Sequence, residues 1–374
     1  MALTPEVRNA AEQFIAAAFA DSSESEALLS HFFLSVSRRL DALPDDPDTS
    51  KHKLRFAAYL LATFLRNFYR GSAPEFYWRP GDLRQSVFQL AESLGVHVLP
   101  VHFYSPVPSS GELPKDLWSR ASELPGLDMR ESQQLALLAT LSQSCREEFA
   151  RFPEQPVPNA PPHRYYSGNG AFGGIDAAFL YSLLRYFKPR RICEIGSGFS
   201  TFLAAEAVLR NQLENAEHFC ELTAIEPYPN ETLRKGFPGL TRLIPSRVQT
   251  VPLREFATLG ENDILFIDSS HVLKIGSDVQ YEFLEILPRL NKGVLIHVHD
   301  IFLPFEYPRD WILEMNRYWT EQYLLQAFLA YNSAFEVLLA SAYLNHHHPD
   351  VLAASFPAPE TSKGFGSFWM RKIR

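Results

Sequence analysis

From Pro189 onward the sequence predicts a doubly wound α/β domain, and three observations carry that expectation. Short, near-continuous apolar runs alternate with stretches of helical periodicity, the pattern of parallel strands covered on both faces. The first run turns into a helix through Gly196-Ser197-Gly198. Later runs end in Glu226, in Asp268 and in His299-Asp300, so polar groups gather at the carboxyl edge, where doubly wound sheets bind their ligands.

The elements follow in order. Residues 1–160 read as a mainly helical N-terminal region that serves capping, substrate binding or oligomerisation, and residues 161–374 as the α/β domain. Thr4 caps a first helix with Pro5 at its first position. Further helices are expected over 25–40, 51–69, 81–94 and 131–151, with a short strand over 96–103. The run Phe152–Pro162 contains five prolines and reads as a linker. Strands are then expected at Arg191–Ile195, Leu222–Ile225, Arg247–Val251, Asp263–Ile267 and Gly293–Val298. After a helix over 319–331, Phe335–Leu339 and Gly366–Arg371 complete a mostly parallel seven-stranded sheet with an antiparallel C-terminal hairpin.

Composition narrows the function classes. The 374 residues are 46% hydrophobic and 21% charged, enough for a large core. A net charge of −8 speaks against a nucleic-acid partner, because phosphate binding needs clustered Lys and Arg. No uncharged apolar stretch reaches the ~20 residues of a membrane span, and Met1–Ala20, with Glu6 and Glu12, lacks the form of a signal peptide. The three cysteines, Cys145, Cys193 and Cys220, suit a reducing cytoplasm. The apolar faces of the N-terminal helices suit a homodimer.

Glu194-Ile195-Gly196-Ser197-Gly198-Phe199-Ser200-Thr201 sits at the first strand-to-helix turn. Gly196 and Gly198 allow a tight turn and close approach of a ligand to the helix amides. Thr201 stands where a dinucleotide fingerprint has its third glycine. Glu194 would repel a pyrophosphate but attract a cationic ligand group. Glu226, at the second strand tip, can accept hydrogen bonds from both hydroxyls of a ribose. A ligand that is nucleoside at one end and positive near the other fits this set.

On these residues, the chain from about Tyr166 to Arg371 resembles the Rossmann-like class I S-adenosylmethionine (SAM)-dependent methyltransferases, especially the metal-dependent O-methyltransferases of antibiotic and sugar tailoring. The resemblance implies SAM binding by Glu194, Gly196, Ser197, Gly198, Glu226 and Asp268, with the segment around Tyr166 closing over it. Asp268-Ser269-Ser270-His271 matches the relatives' Asp-x-x-His, whereas His299 stands where they carry the first of two acids.

Two chemistries fit the strand tips. Asp268, His299 and Asp300 hold a divalent metal, Mg²⁺, Mn²⁺, Fe²⁺ or Zn²⁺, with the mixed donors favouring the softer ions. Otherwise His271 or His299 is a general base oriented by Asp268 or Asp300. His297 reads as a core histidine and His346-His347-His348 as a solvated loop. Tyr307, Arg309 and Trp311, in a proline-bounded aromatic loop, are the expected substrate contacts. The leading expectation is O-methylation of a small-molecule acceptor, such as a sugar or polyketide. N-methylation, a non-catalytic SAM-binding scaffold and a nicotinamide-dependent oxidoreductase are the alternatives.

Overall fold

The structure, a computed structural model, describes residues 103–356 and 365–374 together with Glu92, Gly95, His97, Leu99 and Val101. The chain divides into two units, Met1–Val107 and Pro108–Arg374. In the first, Glu92 is helical, and the helices expected over residues 1–90 lie outside the described residues. The strand expected over 96–103 is absent at its described positions: His97, Leu99, Val101 and Phe103 are irregular. Val101 and Phe103 are 79% and 78% exposed there, so they bury no strand face.

The second unit runs α1 (Glu131–Phe149), α2 (Gly174–Phe187), β1 (Arg191–Ile195), α3 (Phe199–Glu214), β2 (Glu221–Ile225), α4 (Glu231–Lys235), β3 (Arg242–Ile244), α5 (Leu253–Phe256), β4 (Ile264–Ile267), α6 (Asp278–Tyr281), β5 (Leu295–Val298), α7 (Arg309–Leu313), α8 (Glu321–Leu329), β6 (Phe335–Ala340), α9 (Ser341–His347), α10 (Pro349–Ser355) and β7 (Phe368–Lys372). The sheet has seven strands in the order β3-β2-β1-β4-β5-β7-β6. The first five are parallel, and β7 lies antiparallel between β5 and β6. The expected architecture is therefore the observed one.

Both faces of the parallel strands are buried, as their continuous apolar sequences require. Ile192, Ile264, Phe266 and Leu295 face one core with α2 and α3, and Cys193, Ile195, Leu265, Ile267, Ile296 and Val298 face the other with Phe283, Leu287 and Leu325. Arg185 ties the outer helices together. Its guanidinium contacts Glu148 of α1 at 3.2 Å and bonds Asn211 and Glu214 of α3.

Two expectations are corrected. The third strand is Arg242–Ile244, and Val248–Thr250 is a single 3₁₀ turn. Val248 and Val251 are both buried; their spacing of three puts both on one side of such a turn, which apolar content alone does not distinguish from a strand. The three adjacent histidines lie at the end of α9 rather than in a loop, with His348 Nε2 3.1 Å from Glu131 Oε1. The proline-rich run at 152–162 lies within the second unit. There it packs on the fold, with the Phe152 ring 5.3 Å from Tyr165 and 5.1 Å from Tyr181. Among the described residues, no helix is long and apolar enough to cross a membrane.

Candidate active site

Register builds the site. Ile195 pairs with Ile225 and Ile267, and Ile267 with Val298, so four strand ends form one row. The next residue of each chain segment hangs on a last ladder bond: Gly196 N donates to Ile225 O (3.0 Å), Glu226 N to Ile244 O (3.1 Å), Asp268 N to Ile195 O (2.9 Å) and His299 N to Ile267 O (2.9 Å). Residues far apart in sequence thus meet because parallel strands end together.

On the β1–β2 side lies the glycine turn. Gly196 has φ +81°, and a Cβ there would fall 1.8 Å from the Asp268 carbonyl oxygen. Its requirement for glycine comes from the adjoining β4 loop, where the sequence suggests approach to a ligand. Gly198 has nothing within 4 Å of its Cβ position, so that side of the turn is free for a ligand. Glu226 accepts from Ser197 N (3.3 Å) and Tyr228 N (2.8 Å), which leaves further lone pairs on the carboxylate. Tyr166 lays its ring edge-on to Phe199 at 5.3 Å, at the first residue of α3.

Glu194 departs from its expected role of facing a cationic ligand group. It is 2% exposed and accepts from Ser200 Oγ at 2.6 Å, while its Oε2 has no hydrogen-bond partner. Burial pushes its carboxyl up to about 8 against the bonds from Ser200 and Thr201. It braces the turn from beneath, because a strand residue ahead of the strand end points into the layer below rather than over the edge.

On the β4–β5 side, Asp268, His271, His299 and Asp300 converge. His271 Nε2 lies 3.3 Å from Asp268 Oδ1 and 3.6 Å from Asp300 Oδ2, and His299 Nδ1 lies 3.4 and 3.5 Å from the same two oxygens. Strand alternation places Asp300 on the face opposite His299. Its left-handed backbone, φ +56°, swings the carboxylate back to the shared centre, and His271 also has φ +60°. Such conformations are uncommon outside glycine and cluster at functional sites. Asp268 and Asp300 keep 29% and 15% of their side chains exposed, while His271 and His299 keep 7% and 9%; the centre opens on its carboxylate side.

The charges reinforce one another. Burial pushes the Asp268 carboxyl up, but His299 and His271 outweigh it and hold it well below the usual carboxylate range. Burial likewise opposes the charged form of His271, yet Asp268 and Glu321 push it up to about 10. Asp300 and Asp268 raise His299 against its burial. His299 Nδ1 is a buried atom with no hydrogen bond, although the carboxylates sit close by. Asp268, His271 and Asp300 are close enough to share one ion, with His271 in the place that the expected set of Asp268, His299 and Asp300 gave to His299.

Several participants carried no sequence signal. Glu321, 0% exposed, bonds His271 Nδ1 at 2.9 Å, yet in sequence it is an ordinary acid in a first helical turn. Asp176 accepts from Ser341 Oγ, Ser367 N and Gly366 N and lies 3.6 Å from His299 Nε2. An acid in the apolar stretch Gly174–Phe179 was the available clue. Glu282, in a π-helical turn after α6, is buried, pushed upward by burial and by Glu321, and accepts from Ser269 Oγ at 3.1 Å. His297 is the core histidine expected, bonded to Ser367 Oγ at 2.8 Å and stacked on Phe266.

The aromatic loop divides. Tyr307 is 1% exposed, and its hydroxyl accepts from Gln322 N at 3.0 Å; it is a packing residue, not a substrate contact, since its polar end satisfies a backbone donor. Arg309 is exposed and lies over Trp118. Half-buried Trp311 meets Trp319 at 5.1 Å, and Trp319 meets His271 at 4.2 Å, so the aromatic wall of the centre is Trp319 backed by Trp311.

Residues 193–301 match the model of a methyltransferase domain family. An uncharacterised protein of Archaeoglobus fulgidus is 36% identical over 172 residues, covering 44% of this chain and 75% of that protein. Among solved structures, a Podospora anserina methyltransferase bound to SAH (S-adenosylhomocysteine) has 16% identity and a TM-score of 0.34, covering 81% of this chain and 100% of that one. A Bacillus cereus O-methyltransferase in complex with SAH has 14% identity and a TM-score of 0.31 over 77% and 97%. The chain therefore carries a methyltransferase domain over residues 193–301.

Proposed function

We propose that the protein transfers a methyl group from SAM to a hydroxyl oxygen of a small-molecule acceptor. The observation that supports this reading is the meeting of Asp268, His271, His299 and Asp300 beside the Gly196 turn. Glu226 would hold the ribose, and the turn amides together with Gly198 would border the rest of the cofactor. SAM supplies an already activated methyl group, so the protein's task is alignment and proton removal. The acceptor oxygen forms its bond to the methyl carbon as the carbon–sulfur bond breaks, and the hydroxyl proton passes to a basic group of the centre.

The donor set of Asp268, His271 and Asp300 fits a divalent metal. Bound there, it would lower the pKa of an acceptor hydroxyl, and the imidazole among its donors favours Mn²⁺, Fe²⁺ or Zn²⁺ over Mg²⁺. Acceptor choice is assigned to the loops and added segments, including residues 1–160, because substrate selection resides there rather than in the sheet.

The test is calorimetric titration with SAH, with EDTA and then with Mn²⁺ or Mg²⁺, followed by turnover on phenol, sugar and amine acceptors. Micromolar SAH binding, a separate metal heat lost in Asp268→Ala and turnover on hydroxyl acceptors are expected. Absence of SAH binding under every condition overturns the reading, and turnover on amines alone overturns oxygen transfer.

A further inference from the structure

The chain after α7 folds back on that helix and carries a cation to the aromatic wall of the centre. Met315 N donates to Asp310 O at 3.0 Å and Arg317 N to Trp311 O at 2.8 Å, with Asn316 making the reversal at φ +55°. Further along, Thr320 N donates to His271 O at 2.9 Å. The stretch Arg317–Thr320 is therefore tied to α7 at one end and to the loop after β4 at the other. Along it the Arg317 guanidinium lies over two indoles, 4.9 Å from the ring centre of Trp311 and 5.2 Å from that of Trp319. Phe302 braces Trp311 edge-on at 5.3 Å, and Tyr307 braces Trp319 at 6.0 Å. Trp319 is also the ring that meets His271, so the cation stands one side chain away from the centre.

Stacking on rings occupies the face of a guanidinium and leaves its edge of N–H donors unused. Arg317 is exposed, and among the described residues those donors meet no carboxylate and no other acceptor. Arg120, Arg164 and Arg242, also at the surface, each reach an acid at 2.7 Å or less. Fixing a long charged side chain costs conformational entropy. Two rings that fix it without using its donors leave a preformed fork, the shape that carboxylates and phosphates bind in two-pronged fashion. The carboxylates of Asp268 and Asp300, partly exposed at the centre, repel an anion, which separates the anionic end of a ligand from its reacting end.

We propose that Arg317, stacked on Trp311 and Trp319, binds an anionic oxygen group, a carboxylate or a phosphate, on the methyl acceptor. An acceptor lying along the Trp319 wall then presents a hydroxyl to the centre and its anion to Arg317. The proposal rests on the reading of that centre as a site of methyl transfer to a small-molecule hydroxyl, and it narrows the acceptor to hydroxylated acids or phosphate esters. Arg317 sets specificity and takes no part in bond making.

The test is calorimetric titration of the full chain, saturated with SAH and with EDTA present so that no metal recruits the anion. The probes are para-hydroxybenzoate, para-hydroxyphenylacetate and para-hydroxyphenylpropanoate, each against its uncharged amide, and para-hydroxyphenyl phosphate against hydroquinone. At least one charged probe should bind ~10–100-fold more tightly than its uncharged partner, and the arm that does so names the group. Arg317→Met should erase that preference while affinity for the uncharged probes and for SAH holds. No preference for any charged probe overturns the proposal. A preference that survives Arg317→Met overturns it too, as does a loss shared equally by charged and uncharged probes, which marks a role in the loop alone. Should Arg317→Met fail to fold, Arg317→Lys decides: it keeps the charge but loses the fork, and an undiminished preference overturns the proposal. Protein that binds no SAH yet prefers an anion through Arg317 refutes the methyl-transfer reading and leaves the anion site standing.

Discussion

The two glycines of the turn have different physical reasons for being glycine, and substitution separates them. Gly196→Ala drives a methyl group into the Asp268 backbone at a left-handed position, so it should disturb the turn and the loop after β4 together. Both SAH affinity and thermal stability are expected to fall. Gly198→Ala meets open space; the melting temperature should hold while SAH titration weakens at least tenfold. Equal SAH affinity in Gly198→Ala would remove that residue from the cofactor site. Glu194 gives a pH signature. With its carboxyl at about 8 in the fold against 4.5 in the open chain, the folded state binds the extra proton, and stability falls as pH rises between those values. Glu194→Gln removes the cost. Its stability advantage over the wild type should be small below about pH 5 and reach ~3–5 kcal/mol above pH 8, as measured by denaturant melts across that range.

Among the elements, the β5 tip is where geometry turns into chemistry. Asp300 leaves the strand in a left-handed step, and Gly366, just ahead of β7, packs so closely that a Cβ there would lie 2.9 Å from Asp300 Cα. Asp300→Ala should keep SAH binding and lose at least a hundredfold in turnover. Gly366→Ala should lower turnover by displacing Asp300, again with SAH binding kept. Full activity in Asp300→Ala would refute its place in the centre. Helix packing is held by Arg185 between α1, α2 and α3. Arg185→Met should cost about 2 kcal/mol, because it leaves the Glu148 carboxylate without its partly buried partner; thermal or urea denaturation reads this directly, and SAH affinity should not change.

At the scale of the molecule, the parallel sheet, its C-terminal antiparallel pair and the positions of Glu226, Asp268, His299 and Asp300 were legible in the sequence. Each leaves a local mark there: a short apolar run bounded by turns, a glycine pair at a strand exit, an acid at a strand end. The third strand was misplaced because Val248 and Val251 serve a 3₁₀ turn as well as they would a ladder. Tyr307 was misassigned because an aromatic in a loop looks the same whether its hydroxyl meets an acceptor molecule or Gln322 N. Glu321, Asp176 and Glu282 stayed hidden for a deeper reason. A buried acid reaches its partner across 50 residues for Glu321 and His271 and 190 for Asp176 and Gly366, and no periodicity records such a distance. By itself the sequence determined the fold and the row of strand tips, because these depend on local pattern and on parallel strands ending together. Only the tertiary structure decided that Glu194 faces inward, that Asp300 turns back to join His299, and that Glu321 meets His271, because each of these depends on which side chains the packed layers bring into contact.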